Sequence, residues 1–325
     1  MIIHDLFQRI IGRPLYSYGV VVAVCLVTFF ILYVIPPFSF PRNMAVTIPG
    51  GSSVREVGSI LEREDVIRSS FFFTNAVRLV GGENNIRAGA YSFERPLSVF
   101  HVITRTLKGE TGLPLIKVTI PEGSTVRDIA RLLSEALLSF DEQAFITQAK
   151  EHEGYLFPET YLFSDGVLPE TVISTMESEF EKQITVLKED IVAFGVPLSE
   201  VVTMASLLEK EARQYETRQI ISGILWKRIK IGMPLQVDAV FGYIFGIDTF
   251  SPTFDELVTT DSPYNTYKNK GLPPGPIANP GLESLKAAVN PVETPYFYYL
   301  TGFDGEMHYG RTLDEHVENR RFLKN

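Results

Sequence analysis

The sequence predicts an α+β protein in three parts: an N-terminal transmembrane helix, a small α/β module and a larger mixed α+β domain. Three observations predict it. Residues 15–35 carry no charge. The phrase at Val46–Arg55 returns at Val118–Arg127, 72 residues later, and each copy reads as strand, turn and helix. Beyond Thr171, long helical patterns alternate with stretches rich in Pro and Gly.

At 325 residues the chain exceeds one typical domain. Its net charge of -9 provides no surplus of cations for phosphates, which argues against a general nucleic-acid binder. The single cysteine, Cys25, cannot form an internal disulfide, and the five histidines show no close ligand spacing. No metal or other cofactor is expected. Residues 15–36 are long enough to cross a bilayer, with Tyr16, Tyr18 and Tyr33 near the ends and Pro36-Pro37 as the stop. Arg9 and Arg13 precede the span and only Arg42 closely follows it, so residues 1–14 are expected in the cytoplasm and the body outside.

A short linker leads into a module over 44–112, and a second domain follows over 113–325, its start at 113–165 echoing the first module. In each copy the helix opens on Ser or Thr and carries apolar positions such as Val57, Ile60 and Leu61, or Ile129, Leu132 and Leu133. Each copy then reaches an aromatic segment, Gly89–Phe93 or Gly154–Tyr161.

Thr171–Phe194 is helical and charged, and Ser199 reads as the N-cap of the next helix. That helix holds Met204–Ala212, M-A-S-L-L-E-K-E-A, with two carboxylates in an apolar pattern. Small or apolar neighbours one turn from Glu209 would leave room for a bulky substrate and raise its pKa by partial desolvation. Glu211 lies about 200° further round, so the two acids cannot share one site. A second amphipathic helix runs from Ile220 to Ile229 and ends at Gly232. A Pro-rich irregular stretch follows; Asn279-Pro280 then reads as cap and first residue of another helix running to Val289. Tyr296–Leu300 and Met307–Tyr309 form a hairpin around Asp304-Gly305, and Thr312–Glu315 is a capping box.

The uncharged span, the repeated I-P-x-G-S-x-V-R unit, G-Y-L-F-P-E-T-Y at 154–161, A-S-L-L-E-K-E-A at 205–212, L-Q-V-D at 235–238, S-P-Y-N-T-Y at 262–267 and G-L-P-P-G-P-I-A-N-P-G at 271–281 together resemble the membrane-anchored endolytic murein transglycosylases. The resemblance covers nearly the whole chain. It implies a LysM-like module before a catalytic domain, anchored in the bacterial cytoplasmic (inner) membrane. It implies lytic cleavage of nascent peptidoglycan strands between N-acetylmuramic acid and N-acetylglucosamine, leaving 1,6-anhydro-muramyl ends, beside glycan-polymerising synthases and elongation or division proteins. By the same resemblance the acid is the first Glu of the E-K-E triplet, Glu209. Gln236, Asp238, Asn265, Tyr267, Ser206 and Glu211 are candidate substrate-binding residues. One departure stands beside Asp238, where Ala239-Val240-Phe241 replaces the family's usual Pro and Thr.

One carboxylate suffices for such chemistry, because the C6 hydroxyl of the same sugar attacks in place of water. Two other readings remain compatible with the residues. One is a non-enzymatic anchored peptidoglycan-binding protein; the other is a muramidase, which adds water with the help of a second acid.

Overall fold

The computed structural model describes residues 14–42, 44–247, 252–303 and 305–323. Arg9 and Arg13, on which the expected orientation rests, and Asp304 at the expected hairpin tip lie outside them. The chain forms two units, one running to Leu115 with Ser164–Thr171 added, the other made of Ile116–Phe163 and Val172 onward.

The first unit begins with helix α1 (Pro14–Phe29), whose last turn widens into a π-turn over Phe30–Val34. Ile35 is extended, as the residue before a proline must be, and the helix stops there. Among the described residues no single helix is long and apolar enough to cross a membrane; the apolar stretch is described over Tyr18–Val34. The Arg68 guanidinium donates to the carbonyls of Ile35 and Pro36, and Phe72 packs against Phe29 and Tyr33.

β1 (Ala45–Ile48) pairs antiparallel with β2 (Gly89–Ser92), and between them lie α2 (Val54–Arg63) and α3 (Ser70–Leu79). Val54, Val57, Gly58 and Leu61 recur at helical spacing on the buried face of α2, and Ser53 and Glu56 close its N-terminus as a capping box. With α4 (Val99–Lys108) these elements enclose Phe73, Val77, Tyr91 and Phe93.

The sequence repeat is a structural repeat. In the second unit β3 (Leu115–Thr119) pairs with β4 (Thr160–Ser164), and α5 (Val126–Ala136) and α6 (Glu142–Ala149) lie between them. Thr125 and Asp128 form the same capping box as Ser53 and Glu56. Helices α7 (Pro169–Val186) and α8 (Lys188–Phe194) lead to α9 (Leu198–Glu211), followed by α10 (Tyr215–Lys230), α11 (Ala239–Phe245), α12 (Phe254–Thr259) and α13 (Leu282–Val289).

Helix α9 is the centre of this unit, because every residue from Val201 to Leu208 is buried and the helix is covered on all sides by α10, α11 and α13. Ala205, Ala287 and Ala288 allow α9 and α13 to approach closely. β5 (Tyr298–Thr301) and β6 (Met307–Gly310) make the expected hairpin, and α14 (Leu313–Asn319) closes the fold.

Three end-caps differ from expectation. Helix α9 starts at Leu198 with Pro197 at the cap position, so Ser199 is already helical, and its carbonyl accepts from Thr203. Helix α13 is capped by Gly281, because Asn279 is wholly buried and its amide is used elsewhere. At α14, Thr312 accepts from the Glu315 amide, but Glu315 reaches one residue further back, to the Arg311 amide.

Because Leu208 is fully buried against this core, Leu208→Ala should cost about 2–5 kcal/mol. Urea unfolding of the purified protein measures it.

Candidate active site

Helix α9 ends with two acids on opposite sides. Glu209 is buried, and each of its carboxylate oxygens accepts a hydrogen bond: Oε1 from Arg218 Nη2 at 2.6 Å and Oε2 from the Gly281 amide at 2.9 Å. Arg218 is equally buried, donates through Nε to the Ala212 carbonyl, and lies 3.6 Å from Glu283. Glu122 joins this group, its carboxyl lying against Gly281 where any side chain would collide with it. Burial, and then the Glu209 charge, hold the Glu122 pKa above the usual carboxylate range. The ion pair therefore joins the end of α9, the start of α10 and the start of α13.

Glu211 faces the other way, into a cavity of about 660 Å³, a size that suits a saccharide-sized ligand. Burial pushes its carboxyl up to about 7; the Tyr299 hydroxyl bonded to it opposes that rise, the Asp238 charge adds to it, and Arg228 opposes it again. Asp238 lines the same cavity and accepts a short hydrogen bond, 2.5 Å, from the Tyr267 hydroxyl. Arg228 is buried and committed to the carbonyls of Leu235 and Phe297, so its charge is fixed near Glu211 without neutralising it by contact.

A second carboxyl, Glu153, also lines the cavity. The Val126 amide, the first of α5, donates to both of its oxygens at 3.1 Å, and Asn279 Nδ2 donates to one at 3.0 Å. Burial raises its pKa to about 7 against these hydrogen bonds. Asn279 also holds the Leu156 amide and the Ser124 carbonyl, so one buried side chain ties three segments together behind Glu153. Tyr243 and Tyr264, with ring centroids 5.1 Å apart, form an aromatic wall of the cavity beside Glu153. Among the described residues no cluster of three or more His, Cys, Asp or Glu could hold a metal ion.

The model of the YceG-like family matches residues 46–321, most of the chain. The chain belongs to the YceG-like family. It is 34% identical over 298 residues to an endolytic murein transglycosylase of Bacillus subtilis, covering 83% of this chain and 82% of the relative. It is 29% identical to one from Streptococcus pneumoniae, covering 86% of this chain but 58% of that longer protein. A crystallised yceG-like protein from Listeria monocytogenes superposes with a TM-score of 0.57 at 30% identity, covering 85% of this chain and 98% of that one.

In this YceG-like chain the residues singled out in the sequence divide into two groups. Glu211 and Asp238 line the cavity, with Tyr267 bonded to Asp238. Glu209, Ser206 and Asn265 do not line it. Glu209 is held by Arg218 and by the Gly281 amide. The wholly buried Ser206 donates to the Thr203 carbonyl and accepts from the Ile277 amide. Asn265, also wholly buried, donates to the Leu257 and Thr260 carbonyls and accepts from the Tyr267 amide, which orders the loop. Gln236 is exposed on a left-handed backbone, φ 54°, and its amide donates to Thr266.

Sequence reasoning missed Glu153, Arg127, Lys150, Lys210, Tyr243, Tyr264 and Tyr299. Glu153 directly precedes the G-Y-L-F-P-E-T-Y motif, and that adjacency was the available signal.

Removing one partner of a buried ion pair strands the other charge. Arg218→Ala should destabilise by about 3–5 kcal/mol, and more than Glu209→Gln, which leaves Arg218 beside Glu283 and the Ala212 carbonyl. Thermal and urea unfolding of the two variants check this order.

Proposed function

We propose that this protein is an endolytic peptidoglycan lytic transglycosylase in which Glu211 is the general acid and base. The observation that carries the assignment is that Glu211 opens on the cavity with its pKa raised to about 7, whereas Glu209 is closed in by Arg218 and Gly281. This moves the acid from the first to the second Glu of the E-K-E triplet. Each Glu209 oxygen is taken up by a protein donor, Arg218 on one side and the Gly281 amide on the other, and Glu209 is not among the residues that line the cavity. The curated relatives named endolytic murein transglycosylase support the reaction class and its substrate.

The chemistry follows from that carboxyl. Protonated Glu211 gives its proton to the glycosidic oxygen between muramic acid and glucosamine as the C1–O bond breaks. The C6 hydroxyl of the same muramyl ring bonds to C1, its proton passes to the Glu211 carboxylate, and a 1,6-anhydro end is left with no water consumed. The attack is intramolecular, so the enzyme needs to orient one sugar and protonate one leaving group. Tyr299 holds the Glu211 carboxyl in place, the Tyr267–Asp238 pair supplies a fixed anion near the positive charge that develops at C1, and the Tyr243 and Tyr264 rings offer a surface for a sugar face.

We also read α1 as the anchor in the bacterial cytoplasmic membrane, with the two units outside and beside the glycan-polymerising synthases. The uncharged span and its proline stop support that reading.

Mass spectrometry of fragments from uncrosslinked peptidoglycan tests the reaction. The wild type should release anhydro-muramyl ends. Glu211→Gln should lose about 10²–10⁴-fold in rate, while folded Glu209→Gln keeps most of it. Reducing ends would assign hydrolysis instead, and full turnover by Glu211→Gln would overturn the assignment.

A donor that must be protonated also sets the pH dependence. The rate should fall as pH rises above about 7. The same raised pKa means that the folded state binds this proton more tightly than the unfolded state does. Its stabilisation is complete below the unfolded value of 4.5 and is lost as pH rises through about 7. In Glu211→Gln the decline in Tm over that window should therefore be smaller than in the wild type.

A further inference from the structure

Besides the residues assigned to cleavage, the same cavity is lined by Arg127 in the first turn of α5, Lys150 just past α6, Lys210 near the end of α9 and Gly246 just past α11. Resting on the reading of this cavity as a peptidoglycan site, we propose that Arg127 and Lys150 form a subsite for the carboxylates of the peptide carried on the muramyl sugar. The protein would then select peptide-bearing over bare glycan.

The charges nearby are already committed, with two exceptions. Asp128 accepts from the Thr125 amide at 3.0 Å and hydroxyl at 2.7 Å, and pairs with Arg131. Glu153 is held by the Val126 amide and Asn279. Among the described residues no carboxylate lies within ion-pair distance of Arg127 or Lys150, although both line the cavity. In a chain of net charge -9, two such cations facing one cavity are no consequence of a general basic surplus.

The Arg127 position is also built. Its guanidinium rests against Gly246, where a Cβ would lie 2.6 Å from Nη1, and Gly246 adopts φ +69°, which a side chain would strain. A guanidinium placed in this way presents a fork that matches a carboxylate. The substrate supplies such a group on one sugar of each pair only. Muramic acid carries the peptide through its lactyl ether, and N-acetylglucosamine carries none. A cavity in which Glu211 meets the muramyl bond therefore has a peptide to accommodate nearby, and Arg127 and Lys150 are the cations available to it.

The test uses full-length Glu211→Gln protein in detergent, so that binding is read without turnover. Three synthetic tetrasaccharides are titrated by calorimetry: one with free-carboxylate peptides, one with the same peptides amidated, and one bare. The first should bind at least about tenfold tighter than the other two. Adding Arg127→Ala and Lys150→Ala should bring that ratio close to one at unchanged Tm. Equal affinity for all three ligands, or a ratio that survives the double substitution, would overturn the subsite. Absence of anhydro ends from wild-type protein would sink the cleavage reading alone, since the affinity ratio is measured separately.

Discussion

The buried pair of Glu209 and Arg218 is the constraint on which the second unit depends. Helix α9 is apolar on every side for most of its length, so packing alone fixes neither its rotation nor its depth. The ion pair fixes both. Glu209 takes one hydrogen bond from α10 and one from the amide that opens α13. At this depth each Glu209 oxygen accepts one hydrogen bond, and the other terminal nitrogen of Arg218, Nη1, lies 3.6 Å from Glu283. With the helix locked in rotation, the next acid but one, Glu211, must point to the opposite side, where the cavity lies. One carboxylate is spent on position, and the other opens on the cavity.

The cavity is assembled from segments far apart in the chain. Its wall includes the start of α5, Glu153 after α6, the end of α9, the start of α11 and the loop containing Ser262, Tyr264 and Ile277. The bridges between these segments are single polar side chains. Asn279 links Ser124, Glu153 and Leu156; Thr266 bonds both backbone groups of Val237; and Ser206 receives the Ile277 amide. Each is buried and satisfied, which is the condition under which polar groups can lie inside a protein at all.

That arrangement explains what could be read from the sequence. The repeat, its capping residues, the amphipathic helices and the hairpin depend on local pattern and were legible, because residues close in sequence decide them. The divergence of Glu209 from Glu211 was legible from helix geometry too. Which side faces the cavity was not, because a helix buried all round shows no polar face to separate solvent from core. That Ser206 and Asn265 are wholly buried was not legible for the complementary reason. In a sequence, a polar residue that binds substrate looks the same as one that satisfies a backbone group tens of residues away. Asn279 misled in the same way, since Asn before Pro is a good helix start unless its amide is needed elsewhere.

The grip of Arg68 on the carbonyls of Ile35 and Pro36 has a bearing on reach. The ten or so residues from Ile35 to the start of β1 could span roughly 33–36 Å if fully extended, enough to let the body of the first unit swing well clear of the end of α1. Arg68 and the Phe72 contacts clasp the tether at its root, and most of that slack is gone. A leash shortened in this way holds the body of the first unit close against the end of α1.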